Sequence, residues 1–171
     1  MNRFVLTGPE STGKSLLADQ LAGHYNGICV GEYAREHIAS LHRPYTESDV
    51  LEIARVQVAQ FRENEHAESP VFFDTWLIIT KIWLEVVYAT SYEWIDDALR
   101  KSSVDLYLLC YPDIPWEPDP LRENGGPMRA RLYEKYKSTL EAFGLPYRII
   151  RGSGEDRINN AIFAVEAYIN T

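Results

Sequence analysis

The sequence predicts an α/β fold in which a parallel five-stranded sheet is flanked by helices. Short apolar runs alternate along the chain with segments whose apolar residues recur at helical spacing. Such alternation favours parallel strands covered by helices on both faces, with ligands at the C-terminal edge of the sheet. A chain of 171 residues is also of the size that buries one core. Residues 1–171 are therefore predicted to form a single domain.

Short apolar runs place the strands. Most of these runs are nearly continuous in apolar residues, as expected for strands that helices cover on both faces. Val71-Phe72-Phe73-Asp74 is the clearest, because it ends in a carboxylate. In chain order, strands are predicted at residues 3–7, 27–30, 71–74, 104–110 and 147–150.

Helical spacing and helix-end signals place the helices. The second helix ends before Pro44, because the residue that precedes a proline avoids helical geometry. The third begins at Thr46, with Asp49 in the position of a capping box. In chain order, helices are predicted at residues 16–25, 33–41, 46–65, 76–88, 92–100, 129–143 and 158–169.

Residues 112–127 follow neither pattern, because prolines and glycines interrupt both periodicities. Long irregular segments in compact domains often cover a binding site. We therefore expect residues 112–127 to form a lid.

Composition restricts the class of partner. The formal net charge of −8 argues against a nucleic-acid partner, since such proteins usually present a basic surface to phosphates. The two cysteines, Cys29 and Cys110, lie in apolar runs and are predicted to be free thiols. No apolar stretch reaches the roughly 18 residues of a membrane helix, so we expect a cytoplasmic protein with no membrane partner. An oligomer is left open.

The segment Gly8-Pro9-Glu10-Ser11-Thr12-Gly13-Lys14-Ser15 fits the pattern G-x-x-x-x-G-K-[ST] between a predicted strand and a predicted helix. In this P-loop, backbone N–H groups surround phosphates, the lysine reaches the terminal phosphates and the hydroxyl binds Mg2+. The chain is therefore predicted to be a P-loop NTPase that uses ATP and Mg2+. Nucleotide binding is assigned to Gly8, Glu10, Ser11, Thr12, Gly13, Lys14, Ser15 and Arg129.

Carboxylates follow the second and third predicted strands, at the edge where the P-loop lies. Asp74 could orient the metal with Ser15, or it could cap the helix that follows. Glu32 could accept the proton of a substrate hydroxyl, while Arg35 binds the substrate or a phosphate. The alternative is an exposed Glu32–Arg35 pair. Catalysis is assigned to Lys14, Glu32, Asp74 and Arg122.

Three arginines, Arg122, Arg129 and Arg131, lie in or just after the predicted lid. A closing lid can bring guanidinium groups onto the transferred phosphate while water is excluded. Arg122, inside the loop, is the first choice for this role. At least one of the three is expected to lie on a solvated helix face.

Together these motifs resemble the nicotinamide riboside kinase domain of the bacterial bifunctional NAD-metabolism regulator, along essentially the whole chain. The resemblance rests on the P-loop and on Glu32-Tyr33-Ala34-Arg35-Glu36, Phe73-Asp74-Thr75 and Trp116-Glu117-Pro118-Asp119-Pro120-Leu121-Arg122. It implies a nucleoside-kinase-like fold and transfer of the ATP γ-phosphate to the 5'-hydroxyl of a ribosyl nicotinamide. Glu32 or Asp74 would handle the hydroxyl, and Arg122 the phosphate.

Two positions depart from the family pattern. The family reads Asp-Thr-Asp where this chain has Asp74-Thr75-Trp76, and it has an aromatic residue where this chain has Gly31. Phe61 or Trp76 could still stack on the base. Substrate contacts are accordingly predicted at Glu32, Tyr33, Arg35, Gln57, Phe61, Asp74 and Trp76. A kinase of another nucleoside and a P-loop NTPase that acts as a regulatory switch stay open as alternatives.

Overall fold

A computed structural model describes residues 2–170 of the chain. The ends of the predicted domain, residues 1 and 171, lie outside the described residues. The sheet contains five parallel strands in the order β2-β3-β1-β4-β5, so the predicted fold class is confirmed. The strands are β1 (Arg3–Thr7), β2 (Ile28–Val30), β3 (Val71–Asp74), β4 (Leu106–Cys110) and β5 (Tyr147–Ile150).

Helices cover both faces of the sheet. They are α1 (Lys14–His24), α2 (Tyr33–Ser40), α3 (Glu47–Glu63), α4 (Leu77–Val87), α5 (Glu93–Lys101), α6 (Gly126–Ala142) and α7 (Gly154–Ile169). Neighbouring strand residues such as Phe72 and Phe73 belong to opposite cores, because successive side chains of a strand point to opposite faces. One core involves α3 to α6, and the other involves α1 and α7. This double covering explains why the strand sequences are nearly continuous in apolar residues.

Three helices begin earlier than the sequence predicts, and the first of them, α1, begins at Lys14 instead of residue 16. Helix α6 begins at Gly126 instead of residue 129, so the irregular segment after β4 ends two residues before the predicted limit of 127. Pro127 lies in the first turn of α6, where a proline costs no helical hydrogen bond. Helix α7 begins at Gly154 instead of residue 158, and Glu155 in its first turn interacts favourably with the helix dipole.

The parallel register brings the predicted functional segments to one edge of the sheet. Leu6 pairs with Asp74, and Val30 pairs with Phe73. The chain therefore leaves β1 at the P-loop and β2 just before Glu32, beside the end of β3. Within residues 2–170, no helix combines the length and apolarity needed to cross a bilayer.

Candidate active site

The P-loop has the backbone of an anion-binding concavity. Gly8 has φ 129°, and a Cβ atom there would lie 2.8 Å from the carbonyl oxygen of Cys110. Gly13, which precedes α1, has φ 73°, and Ser11 adopts a left-handed φ of 55°. Lys14 Nζ donates a hydrogen bond to the Pro9 carbonyl at 2.8 Å. The loop thus curves around the N-terminus of α1, where backbone N–H groups favour phosphate.

A cavity of about 480 Å³ extends from the P-loop to an apolar end between α4 and α6. Lid residues 120–124 form one side of it, and Glu32 and Arg35 lie along it. At the apolar end, Tyr45 meets the ring of Trp83 edge to face, with 4.9 Å between centroids. The wall of this end is formed by Tyr45, Ile79, Ile82, Trp83, Leu132 and Tyr136. One cavity therefore joins a phosphate-binding loop to an aromatic pocket.

Two carboxyl groups lie beside the P-loop. Asp74 is 3% exposed, and its Oδ1 atom has no hydrogen-bond partner among the described residues. Burial raises the pKa of Asp74, while the Ser15 hydroxyl and the Lys14 ammonium oppose the rise. Burial also raises the pKa of Glu32, and the charge of Asp74 adds to that effect while Lys14 opposes it. The two acids thus share one electrostatic environment with Lys14.

The donors near Asp74 fit Mg2+. A hydroxyl and a carboxylate are hard oxygen ligands, and Mg2+ in phosphotransferases takes its other ligands from phosphates and water. This explains how a metal site can exist although residues 2–170 contain no cluster of three or more His, Cys, Asp or Glu suited to a metal. The ion would be held by the Ser15 hydroxyl and by the Oδ1 atom of Asp74, which has no hydrogen-bond partner among the described residues.

The lid is docked on the P-loop. The Glu10 carboxylate accepts hydrogen bonds from the backbone N–H groups of Glu123 and Asn124, at 3.1 and 3.0 Å, and from the Asn124 side chain at 3.2 Å. Ser11 Oγ accepts the N–H of Glu117 at 3.0 Å. These contacts hold the segment against the P-loop, at that end of the cavity.

Two further contacts tie the lid to Arg35 and Tyr45, which line the cavity beyond the P-loop. Arg35 forms an ion pair with Asp119, and the Tyr45 hydroxyl donates to Glu123 at 3.0 Å. Arg35 therefore contacts both the cavity and the lid. Its side chain is 43% exposed, so the ion pair itself contributes little stability.

The three arginines around the lid have different environments. Arg122 lines the cavity, and one of its amino groups donates to the Glu117 carbonyl at 2.6 Å. Arg129 is buried and donates to backbone carbonyls, so it contacts the outside of the loop instead of the cavity. Arg131 is exposed on α6. Among the three, the structure places Arg122 at the cavity.

Residues 3–157 match the AAA_28 family, described as an AAA domain. The chain belongs to this AAA domain family. It is 24% identical over 135 residues to the trifunctional NAD biosynthesis/regulator protein NadR of Salmonella typhimurium, and equally to that of Escherichia coli. The match covers 75% of this chain and 33% of each relative, so the chain spans about a third of their length. The resemblance predicted from the motifs is confirmed.

Solved structures share the fold of this AAA domain. NadR in complex with NR aligns with a TM-score of 0.83 at 22% identity, covering 99% of this chain and 52% of that one. Thymidylate kinase from Ehrlichia chaffeensis aligns at 0.66 and 13% identity, covering 97% of both chains. The AAA domain thus has the predicted P-loop kinase fold.

Several residues of this AAA domain that were predicted to contact the substrate lie away from the cavity. Gln57 and Trp76 are each 2% exposed, and Trp76 Nε1 donates to the Gln57 carbonyl at 3.0 Å. Phe61 packs against Trp76 with 4.7 Å between ring centroids. Tyr33 donates or accepts a hydrogen bond with His37 at 3.3 Å and does not line the cavity. The prediction that Gln57, Phe61 and Trp76 contact the substrate is therefore corrected, because all three are buried away from the cavity.

The aromatic residues that do line the cavity were missed by sequence reasoning. Trp83 lies on α4, Tyr136 on α6 and Tyr45 just before α3. Burial raises the pKa of Tyr136, and the negative charges of Glu32 and Glu10 raise it further. The sequence carried one sign of this pocket. Helix α4 is apolar nearly all round, whereas a helix with one side in solvent needs apolar residues on one face only.

Proposed function

We propose that this AAA domain transfers the γ-phosphate of Mg-ATP to a hydroxyl group of a nucleoside-like small molecule, with nicotinamide riboside as the preferred acceptor. The observation that carries the proposal is the continuous cavity, which has a P-loop at one end and an aromatic pocket at the other. Glu32 and Arg35 lie between the two ends. A regulatory NTPase would need the first end and has no use for the second.

The chemistry of the apolar end favours a flat and positively charged base. Aromatic faces attract cations, and a ring such as Trp83 is the strongest of them. Glu10, Glu32 and Glu123 also line the cavity, while Arg35 is paired with Asp119. Nicotinamide in riboside form is a pyridinium cation, so it gains from both features. The similarity to NadR, solved in complex with NR, supports the same acceptor.

In the proposed reaction, the acceptor oxygen bonds to the γ-phosphorus as the bond to the bridging oxygen of ADP breaks. The proton of the acceptor hydroxyl goes to Glu32 or Asp74, and burial raises the pKa of both carboxyl groups, which favours their uptake of a proton. Lys14 and the P-loop N–H groups bind the phosphates, and Arg122 offers positive charge from the lid. Bound Mg2+, held by Ser15 and Asp74, would neutralise phosphate charge. The docked lid excludes water, which limits hydrolysis.

A coupled ADP-release assay tests this function. Mg-ATP is supplied with a panel of nucleosides that includes nicotinamide riboside, and the Lys14→Ala protein serves as the blank. We expect strong stimulation by nicotinamide riboside, with a mononucleotide detected by mass spectrometry. Stimulation by another nucleoside alone would keep the kinase and refute the preferred acceptor. Slow ADP release that no nucleoside stimulates would favour the regulatory switch.

A further inference from the structure

Two buried arginines bond to the outer side of the P-loop. Arg129 donates to the carbonyl oxygens of Glu10 at 3.1 Å and of Ser11 at 2.5 Å. Arg157, from the start of α7, donates to the carbonyl oxygen of Thr12 at 2.7 Å. Neither arginine lines the cavity. Three successive P-loop carbonyls are thus bonded by guanidinium groups that lie behind the loop.

This pattern fixes the direction of the N–H groups on the other side of the loop. In a planar trans peptide, the C=O and the N–H of the same group point in opposite directions. Carbonyls held outward at Glu10, Ser11 and Thr12 therefore turn the N–H groups of the three residues that follow them toward the cavity. Within residues 2–170, none of these three N–H groups donates a backbone hydrogen bond. They are left available for an anion.

Arg157 also connects the P-loop to the start of the lid. It is 5% exposed and donates to the Tyr111 carbonyl at 3.0 Å and to Asp113 at 2.9 Å. Arg129 makes a parallel connection to the Ile114 carbonyl at 2.8 Å. Each guanidinium thus bridges the phosphate-binding loop and the segment that leaves β4. A rigid fork with several donors suits such bridging, whereas a lysine ammonium is a single point charge.

The two arginines lie close enough to repel each other. Burial lowers the pKa of Arg129, and the positive charge of Arg157 lowers it further. Polyphosphate bound on the opposite side of the same peptide groups would offset this positive charge. The arrangement is therefore matched to a bound anion.

We infer that Arg129 and Arg157 are positioning residues for the nucleotide, which aim the P-loop N–H groups at the phosphates by holding the loop's carbonyls from behind. The inference rests on the proposed function only as far as ATP binding and is independent of the acceptor. It assigns Arg157, which no motif singles out, to the nucleotide site. It also moves Arg129 from phosphate contact to loop orientation.

The test measures nucleotide binding without any acceptor. Arg157→Lys and Arg129→Lys are compared with Arg131→Lys, the same change at an exposed site on α6. A fluorescent ATP analogue with Mg2+ reports the Kd, and the Gly13 amide resonance reports the loop. We expect the Kd to rise roughly tenfold in each buried variant, the scale of one lost hydrogen bond to a charged group. The Gly13 amide should also shift less when nucleotide is added. Arg131→Lys should match the unmodified chain.

A purely structural role would lower the melting temperature and leave the Kd of the folded fraction unchanged, and that result would overturn the inference. If Arg157→Lys fails to fold, Asp113→Asn keeps the arginine and weakens its orientation. It should raise the Kd by a smaller factor, and an unchanged Kd would again overturn the inference. Failure of the proposed function is distinguishable, since a chain that binds ATP and phosphorylates no nucleoside still gives the Kd comparison.

Discussion

The contact between Glu10 and the lid supports a quantitative prediction. Glu10→Ala removes the carboxylate that accepts the backbone N–H groups of Glu123 and Asn124, at 3.1 and 3.0 Å. A hydrogen bond to a charged group contributes about 1.5–3 kcal/mol when well shielded, and less at this partly exposed position. With about 1 kcal/mol for each backbone bond, closure of this part of the lid loses about 2 kcal/mol. Opening should then become about 30 times more frequent.

Amide hydrogen exchange measures this opening directly. In Glu10→Ala, the amides of Glu123 and Asn124 should exchange about 30-fold faster, because exchange requires the lid to open. The sheet amides of β4 should keep their rates, since the lid does not pair with the strands. Glu117→Ala is the matched control, because Glu117 contacts the P-loop and Arg122 through its backbone. If the two lid amides exchange at the same rate in Glu10→Ala and in the unmodified chain, Glu10 does not hold the lid.

Three further predictions address the acids and the pocket. Burial raises the pKa of Glu32 in the folded chain above the ordinary pKa of glutamate. The folded chain therefore loses stability as the pH rises from the ordinary glutamate pKa through the raised pKa of Glu32. Glu32→Gln should therefore melt at a higher temperature than the unmodified chain at pH 7. Calorimetry should show that this difference in melting temperature vanishes below the ordinary glutamate pKa, and a difference that persists there would contradict the argument. Trp83→Ala should raise the KM for the acceptor roughly tenfold and leave the KM for ATP unchanged. The exposed Trp94→Ala is its control, and equal effects of the two changes would remove Trp83 from the pocket. Asp74→Asn should shift the Mg2+ dependence of turnover to higher concentration, and an unshifted titration would exclude Asp74 as a ligand.

The same lid segment contacts residues at both ends of the cavity. Glu10 and Ser11 hold the lid at the phosphate end, while Arg35 and Tyr45 hold it at the acceptor side. Binding at either end therefore acts on the same segment. In a kinase this arrangement would favour closure when both substrates are present, which protects the γ-phosphate from water.

Local sequence determined the sheet and the P-loop. The strands were predictable because burial on both faces demands apolar runs, as in Val71-Phe72-Phe73. The P-loop was predictable because its glycines and Lys14 act through the backbone of one short segment. The edge position of Glu32 and Asp74 also followed, since parallel strands end on the same side.

Tertiary structure decided the aromatic pocket and the partners of the arginines. Periodicity shows that Gln57 and Phe61 share a buried face of α3, and it does not say whether that face meets the core or a cavity. Trp83 and Tyr136 line the same cavity only because α4 and α6, which are distant in sequence, lie on either side of it. Arg129 and Arg157 likewise carry the same charge as Arg122, and their roles differ because of the carbonyls that surround them. Short-range patterns determine the local conformation of a segment, whereas the partners of a side chain depend on how distant segments pack.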